Sequence, residues 1–399
     1  VTRPAAHNGP GARSRTLIAS AVFGLFLVAA WFFTREKEQI APPPPSLPVS
    51  PETAPALAVP SGRLSAVVPP ALPFAEDELE RDRKDRQQEA VERLARYRLF
   101  ARYPPSSRPA KEHPDQMTPF LPVVRSSALL WNGQPNDEIR VQLGQDRREL
   151  VEKEAAKLWL RCEDSLGKVL PCRVEKSNAL PAPPSDSPLT PVPLPFLDTG
   201  QQGDERASDG TYTAMLQPSE LGMARYHGPV RVEVQLALGE QRAPAFFDLV
   251  YTPTAPARFV PPVRENMEQG SLLLSVPMQV VRPGRYFVLG RVDDSQGKQV
   301  AYLEWNGELA AGERSVPLLL FGKLVHDERP LFPLFLRDVE GFLLLEDQAP
   351  DRLHMPALEG PVHKTRVYSS SDFSVEEWDS EMKRRYLEEY EKDARDSHP

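Results

Sequence analysis

Residues 16–34 read TLIASAVFGLFLVAAWFFT, nineteen positions without a charge. A helix rising ~1.5 Å per residue needs about 20 such residues to cross ~30 Å of hydrocarbon. Arg3, Arg13 and Arg15 precede the run, and residues 1–34 hold no acid. Behind it, Arg35 and Lys37 are offset by Glu36 and Glu38. The positive-inside bias then leaves residues 1–15 as a cytoplasmic tail and exports everything after residue 34. Trp31, Phe32 and Phe33 fall where an aromatic belt would meet the outer interface. The partner implied is the lipid bilayer, through residues 16–34. A cleavable signal peptide competes with this reading, because Val28-Ala29-Ala30 suits a processing site; the product would be a soluble secreted module. The apolar run continues past that site, which favours an uncleaved anchor.

The next segment removes regular structure from the options. Eleven prolines stand in residues 41–73, including Pro42, Pro43, Pro44 and Pro45. Proline lacks the amide hydrogen that helices and sheets need, so residues 35–74 read as an extended spacer. The charge balance excludes a class of partner. The chain has 48 Lys and Arg against 56 Asp and Glu, and setting aside the three N-terminal arginines leaves 45 cations against 56 acids. Nucleic-acid affinity rests on clustered cations, so no nucleic acid is expected.

Residues 75–103 read as a charged helix. Glu76, Asp77, Glu78 and Glu80 lead and Arg93, Arg96, Arg98 and Arg102 follow, which suits the helix dipole. Val91, Leu94, Arg98 and Ala101 mark one helical row, with Ala90, Leu94 and Tyr97 beside it, in the second half only. This fits a helix that packs there on the next domain or, alternatively, a short oligomerising coiled coil. Beyond it, period-2 patterns predict strands. The cleanest is residues 230–238, with Val230, Val232, Val234, Leu236 and Leu238 on one face and Arg231, Glu233 and Gln235 on the other. The pattern predicts a first β-sandwich over residues 104–255, interrupted by a proline-rich loop at 181–195. A second, immunoglobulin-like β-sandwich is predicted over residues 256–350, with strands at 271–276, 286–292, 299–305, 316–321, 331–336 and 342–346. Turn signals such as Pro283-Gly284, Asn306-Gly307 and Gly341 punctuate them. The fold class is mainly β. Residues 351–399 form a tail with an amphipathic helix at 375–395, opened by a Ser374/Glu377 capping box.

Four groups of residues are candidates for chemistry or contact. Cys162 and Cys172 flank Gly167; a hairpin turning there sets them opposite each other, and export favours their oxidation to a disulfide. Asp198, Asp204 and Asp209 fall in one glycine-bearing loop and offer the hard oxygens that calcium takes. The alternative is a hairpin opened by Asp209-Gly210 with the other acids solvated. Trp378, Met382, Tyr386 and Tyr390 recur at helical spacing, as a stripe that either docks on a β domain or binds a partner. The seven histidines form no metal pattern, and neither a nucleophile elbow nor a phosphate loop is present, so no catalytic residue is assigned.

Residues 284–346 resemble the C-terminal immunoglobulin-like unit of bacterial choice-of-anchor X proteins and related envelope proteins. The resemblance rests on Gly284-Arg285-Tyr286, Asp294 with Gly297, Leu309 with Gly312, Phe321-Gly322 and Leu336-Arg337-Asp338. Residues 198–214 resemble that group's aspartate–glycine loop, with Thr199 in place of an acid. Residues 365–384 resemble its terminal segment through Phe373-Ser374 and Glu377-Trp378-Asp379-Ser380. The resemblance implies a bacterial envelope protein with β-sandwich modules, and brings no catalytic residues. The expectation is a single-pass inner-membrane protein with its bulk in the periplasm. It would be a non-catalytic scaffold that presents its modules to another envelope protein or polymer. The alternative from another class is a hydrolase whose site gathers Asp198, Asp204, Asp209 and His227.

Overall fold

The computed structural model describes residues 74–131, 134–183 and 185–396. The expected cytoplasmic tail, the anchor at 16–34 and all but the last residue of the spacer lie outside the described residues. Among the described residues, no helix is long and apolar enough to cross a membrane.

The charged segment is helical as its dipole pattern predicts: α1 spans Phe74–Phe100. Ala90, Leu94 and Ala101 are buried, whereas Val91 and Arg98 of the expected row are exposed, because the helix turns its buried face towards Ala90. Pro104 and Pro105 follow within one turn of its end, and the chain becomes a strap over residues 104–118. The strap contains β1 (Ser107–Pro109) and two short 3-10 turns.

Ten strands follow the strap. They are β2 (Val123–Trp131), β3 (Gln134–Gln145), β4 (Glu149–Val151), β5 (Ala156–Asp164) and β6 (Val169–Leu170). After these come β7 (Arg173–Pro181), β8 (Val192–Pro193), β9 (Tyr212–Leu216), β10 (Gly228–Leu238) and β11 (Gln241–Thr252). One sheet has the order β2-β3-β5-β6, with β9 also on β5, and the other the order β4-β11-β10-β7-β8. Among the described residues, only the β11–β4 pair is parallel. The two sheets share one core. Leu158 and Leu160 from the first meet Val230, Val232, Leu236, Phe247 and Leu249 from the second, all buried. Burying each such side chain contributes about 1.5–3 kcal/mol. The alternation of β10 follows from this, since Val230, Val232, Val234 and Leu236 are buried while Glu233 is exposed; it lapses at the end, where Ala237 is buried and Leu238 half-buried. The proline-rich loop expected at 181–195 is present, except that β8 returns within it to pair with β7.

The second paired-sheet unit comprises β12 (Ala257–Phe259), β13 (Arg264–Glu268), β14 (Ser271–Val280), β15 (Gly284–Asp293), β16 (Gln299–Leu309) and β17 (Gly312–Leu320). Helix α2 (Gly322–Glu328) follows, then β18 (Phe335–Leu344), β19 (Arg352–His354) and β20 (Leu358–Lys364). One sheet runs β1-β16-β15-β18-β19 with β20 on β18; the other is β12-β14-β13 with β17 on β14. Their shared core includes Leu272, Leu274 and Val276 against Val288, Leu303 and Leu336. A last helix, α3, spans Glu381–Asp396.

Several boundaries differ from the sequence reading, each for a physical reason. The strap does not belong to the first unit. Its β1 extends the second unit's sheet through Ser107↔Leu303 and Arg108↔Tyr302. Arg291 Nε donates to the Gln116 carbonyl at 2.7 Å and Arg337 Nη2 to that of Met117 at 2.8 Å, which pins the rest of it down. The first unit is thus an insertion between the strap and β12. The second unit also extends past residue 350, because β19 and β20 both pair with β18. Asn306-Gly307 is no turn but lies inside β16, opposite Phe287 and Tyr286. The strands expected at 331–336 and 342–346 are one strand, β18, with Gly341 inside it.

Candidate functional site

The sequence places three aspartates between two backbone hydrogen bonds that close a loop. Leu197 N donates to the Thr213 carbonyl at 2.9 Å, and Thr213 N returns to Leu197 at 2.8 Å. Inside this clasp, Gly200, Gly203 and Gly210 take positive φ, which lets the chain fold back on itself. The carboxylates of Asp198, Asp204 and Asp209 are brought together, with one oxygen from each lying within 4.8 Å of the others. Asp204 is buried, Asp198 half-buried and Asp209 exposed. Asp198 accepts from Asp209 N at 3.1 Å and from Gly210 N at 3.0 Å, one amide to each oxygen. Asp204 Oδ2 accepts from Gly200 N at 2.6 Å, and Asp209 Oδ1 from Thr211 N at 2.8 Å. Three hard oxygens are donors of the kind calcium takes, although calcium takes six to eight. The hydrogen bonds give the same carboxylates a second role, as the acceptors that shape the loop. Next to them, burial and then the negative charge of Asp198 raise the pKa of Tyr212 above its ordinary value. Its hydroxyl donates to the Cys172 carbonyl at 2.8 Å.

That carbonyl belongs to the disulfide. Cys162 and Cys172 are bonded, with Cα atoms 6.0 Å apart, both buried. The β5–β6 hairpin builds the geometry. Asp164 Oδ1 accepts from the amides of Leu166 and Lys168, both at 2.9 Å, and Gly167 takes φ +81° at the turn. The cysteines are not directly opposite; Cys162 faces Leu170, and Cys172 lies two residues further on.

His227 is not among the groups in the aspartate cluster. Its Nε2 lies 3.0 Å from the carbonyl of Arg352, in the second unit, and burial lowers its pKa. His326 lies in α2, with Nε2 2.9 Å from the Phe373 carbonyl.

The C-terminal stripe divides. Tyr386 and Tyr390 pack on Tyr97 of α1, with ring centroids 5.8 and 5.1 Å apart, and Arg98 pairs with Glu391 at 2.8 Å. Met382 stays exposed. Trp378 is not on the helix, which begins six residues later than the capping pattern predicts. Ser374 N is drawn to the Gly270 carbonyl at 2.9 Å and Trp378 N to that of Arg102 at 3.0 Å, and residues 374–380 belong to no helix or strand. Ser380 then caps α3, its Oγ accepting from Lys383 N at 3.0 Å.

One set of residues was not singled out by the sequence. The outward face of β7, β10 and β11 carries a groove of about 380 Å³ lined by Lys176, Asn178, Arg231, Glu233, Gln235 and Phe246. The alternation of β10 places Arg231, Glu233 and Gln235 on that face, but register alone sets Asn178 and Phe246 beside Glu233.

No family model matches this chain, and no curated protein matches it. Among solved structures it is similar to a DUF4785 family protein from Legionella pneumophila subsp. pneumophila str. Philadelphia 1. The two are 12% identical with a TM-score of 0.39, and the match covers 56% of this chain and 57% of that one. It is also similar to a DUF3823 family protein from Parabacteroides merdae ATCC 43184, at 9% identity and a TM-score of 0.20 over 53% of this chain and 94% of that one. A third is Escherichia coli alpha-2-macroglobulin activated by porcine elastase, at 11% identity and a TM-score of 0.18 over 56% of this chain and 22% of that one. This chain therefore spans little more than half the length of the first of them. None of the three is described as a choice-of-anchor X protein, and at such identities they assign no function.

Proposed function

We propose that this chain is a single-pass protein of the bacterial inner membrane with its bulk in the periplasm. In this reading it presents two immunoglobulin-like β-sandwich modules to another envelope protein or polymer and catalyses no reaction. The observation that carries the reading is the way the chain enters its folded part. Helix α1 and the strap are tied to the second unit, and the first unit is inserted after them. Attachment through α1 engages the second unit, which leaves the inserted unit to meet a partner. The Cys162–Cys172 bridge supports an oxidising compartment. Sheets paired over single cores support the sandwich reading. The resemblance to choice-of-anchor X proteins supports the same placement. The hydrolase alternative has less support, because His227 is engaged at Arg352 and not at the three aspartates.

Crosslinking in intact cells, read by mass spectrometry, tests the reading. A compartment reporter fused after the second unit completes it. The expected result is crosslinks from residues 119–255 to a second envelope component and a periplasmic reporter. A reporter active only in the cytosol, or crosslinks only within the chain itself, would overturn it.

A further inference from the structure

The groove on the β7-β10-β11 face has the chemistry of a ligand site. Register arranges its side chains in rows that cross three strands about 4.8 Å apart. Asn178, Glu233 and Phe246 form one row, and Lys176, Gln235 and Pro244 the next. Alternation turns them outward, since Ser177, Ala179, Val232, Val234, Ala245 and Phe247 between them are buried. Among the described residues, the side chains of Lys176, Asn178, Glu233 and Gln235 make no hydrogen bond or ion pair. Arg231 is committed. Its Nε and Nη2 donate to the two oxygens of Asp248 at 2.8 and 2.9 Å, and its guanidinium stacks 4.5 Å over the Phe246 ring.

Three ligand classes fit poorly. A polyanion gains little beyond Arg125 at Phe246, because Lys176 is offset by Glu233 and Arg231 by Asp248. An apolar segment would cover four polar groups without partnering them, at roughly 1–3 kcal/mol each. A peptide strand adds to a sheet at an edge, through main-chain hydrogen bonds, and this is a face. The remaining match is an uncharged ligand that is dense in groups able both to donate and to accept, with C–H surface to lie on Pro244, since the Phe246 ring already carries Arg231 and Arg125. Sugar hydroxyls have that property. Lys176 only donates, Glu233 only accepts, and the two amides do both.

We propose that this face binds an uncharged hexopyranose chain, with Asn178, Glu233, Gln235 and Lys176 as its hydrogen-bonding partners. This names the ligand class for the presenting role proposed above and rests on that role.

The test is calorimetry on the full-length protein in a sugar-free detergent, titrated with maltohexaose, cellohexaose, hexa-N-acetylchitohexaose and, separately, dextran sulfate. At least one neutral hexamer is expected to bind. The double variant Asn178→Ala/Gln235→Ala is expected to weaken it tenfold or more at an unchanged melting temperature, because both side chains are solvent-facing and unpartnered. The proposal is overturned if no neutral hexamer binds, if dextran sulfate alone binds, or if the double variant binds as well as the parent chain. If the sugars fail while crosslinking still recovers an envelope protein, the groove assignment falls and the presenting role stands.

Discussion

The Tyr103 hydroxyl donates to Asp327 Oδ2 at 2.6 Å, joining the end of the α1 segment to helix α2. Arg102 Nη2 reaches the same oxygen at 2.8 Å, and Lys323 Nζ holds Oδ1 at 2.8 Å. Burial pushes the Asp327 pKa up, but the Lys323 and Tyr103 hydrogen bonds and the Arg102 charge outweigh it and hold the carboxyl below its usual value. Tyr103→Phe is expected to cost about 1.5–3 kcal/mol, the range for a hydrogen bond to a charged group. Denaturant unfolding measures the loss, and faster amide exchange at residues 90–100 localises it. The sign with pH follows from the lowered folded pKa. The contribution is whole above the ordinary aspartate value of about 3.9 and is lost as pH falls through the folded one.

A histidine at the seam between the two units titrates over a different window. His354 N donates to Thr252 Oγ1 at 3.1 Å, and its ring lies 6.1 Å from that of Phe342. Burial, then the charges of Arg352 and His227, push its pKa down to about 4, with Asp351 opposing. The unfolded imidazole takes its proton near pH 6.5, and the folded one does not until about 4. Stability is therefore expected to fall as pH drops from about 6.5 to about 4, and to lose no more to this group below that. His227, lowered by burial, acts with the same sign. Melting temperatures across this range check it, and His354→Gln should flatten the slope.

The disulfide closes a short loop, with ten residues of sequence separation. Loop closure on this scale constrains the unfolded chain by about 3 kcal/mol. Cys162→Ala/Cys172→Ala is expected to lose about that much by denaturant unfolding. Reductant should destabilise the parent chain and leave the double variant unmoved.

Gly322 sits where a side chain has no room. A Cβ there would lie 2.1 Å from the Gly270 carbonyl oxygen and 2.7 Å from the Ser374 amide, both backbone atoms. The Ser374–Gly270 hydrogen bond crosses directly over it. Gly322→Ala is expected to cost roughly 1–3 kcal/mol as overpacking. It should also free the segment before α3, seen as new protease cleavage between residues 374 and 380.

The aspartate loop allows a separate check. Asp198 accepts two loop amides, so Asp198→Ala leaves both without that partner. The expected loss is about 1–3 kcal/mol. Because the acceptors serve amides, the loss should persist in the presence of a chelator, measured by thermal melting with and without calcium.

The strands with one wet face were legible because burial writes a period of two into residues such as Val230, Val232 and Val234. The disulfide was legible for a similar reason, since Gly167 and Asp164 mark the turn locally. Features that depend on distant chain were not. Nothing near Ser107 says that it will pair with Leu303, almost two hundred positions away. Ser374 looks like a helix cap until the Gly270 carbonyl takes its amide. The aspartates were visible as a loop cluster, but the groove at Phe246 was not, because its rows are assembled from three strands whose register no local pattern fixes.

The insertion of the first unit has a mechanical corollary. A pull arriving along α1 meets β1, the Tyr103–Asp327 contact and the arginines that grip Gln116 and Met117, all bonded to the second unit. Tension is then borne by those attachments before it reaches any strand from β2 to β11. When the opposing hold is on the second unit, the strands from β2 to β11 lie off the load path.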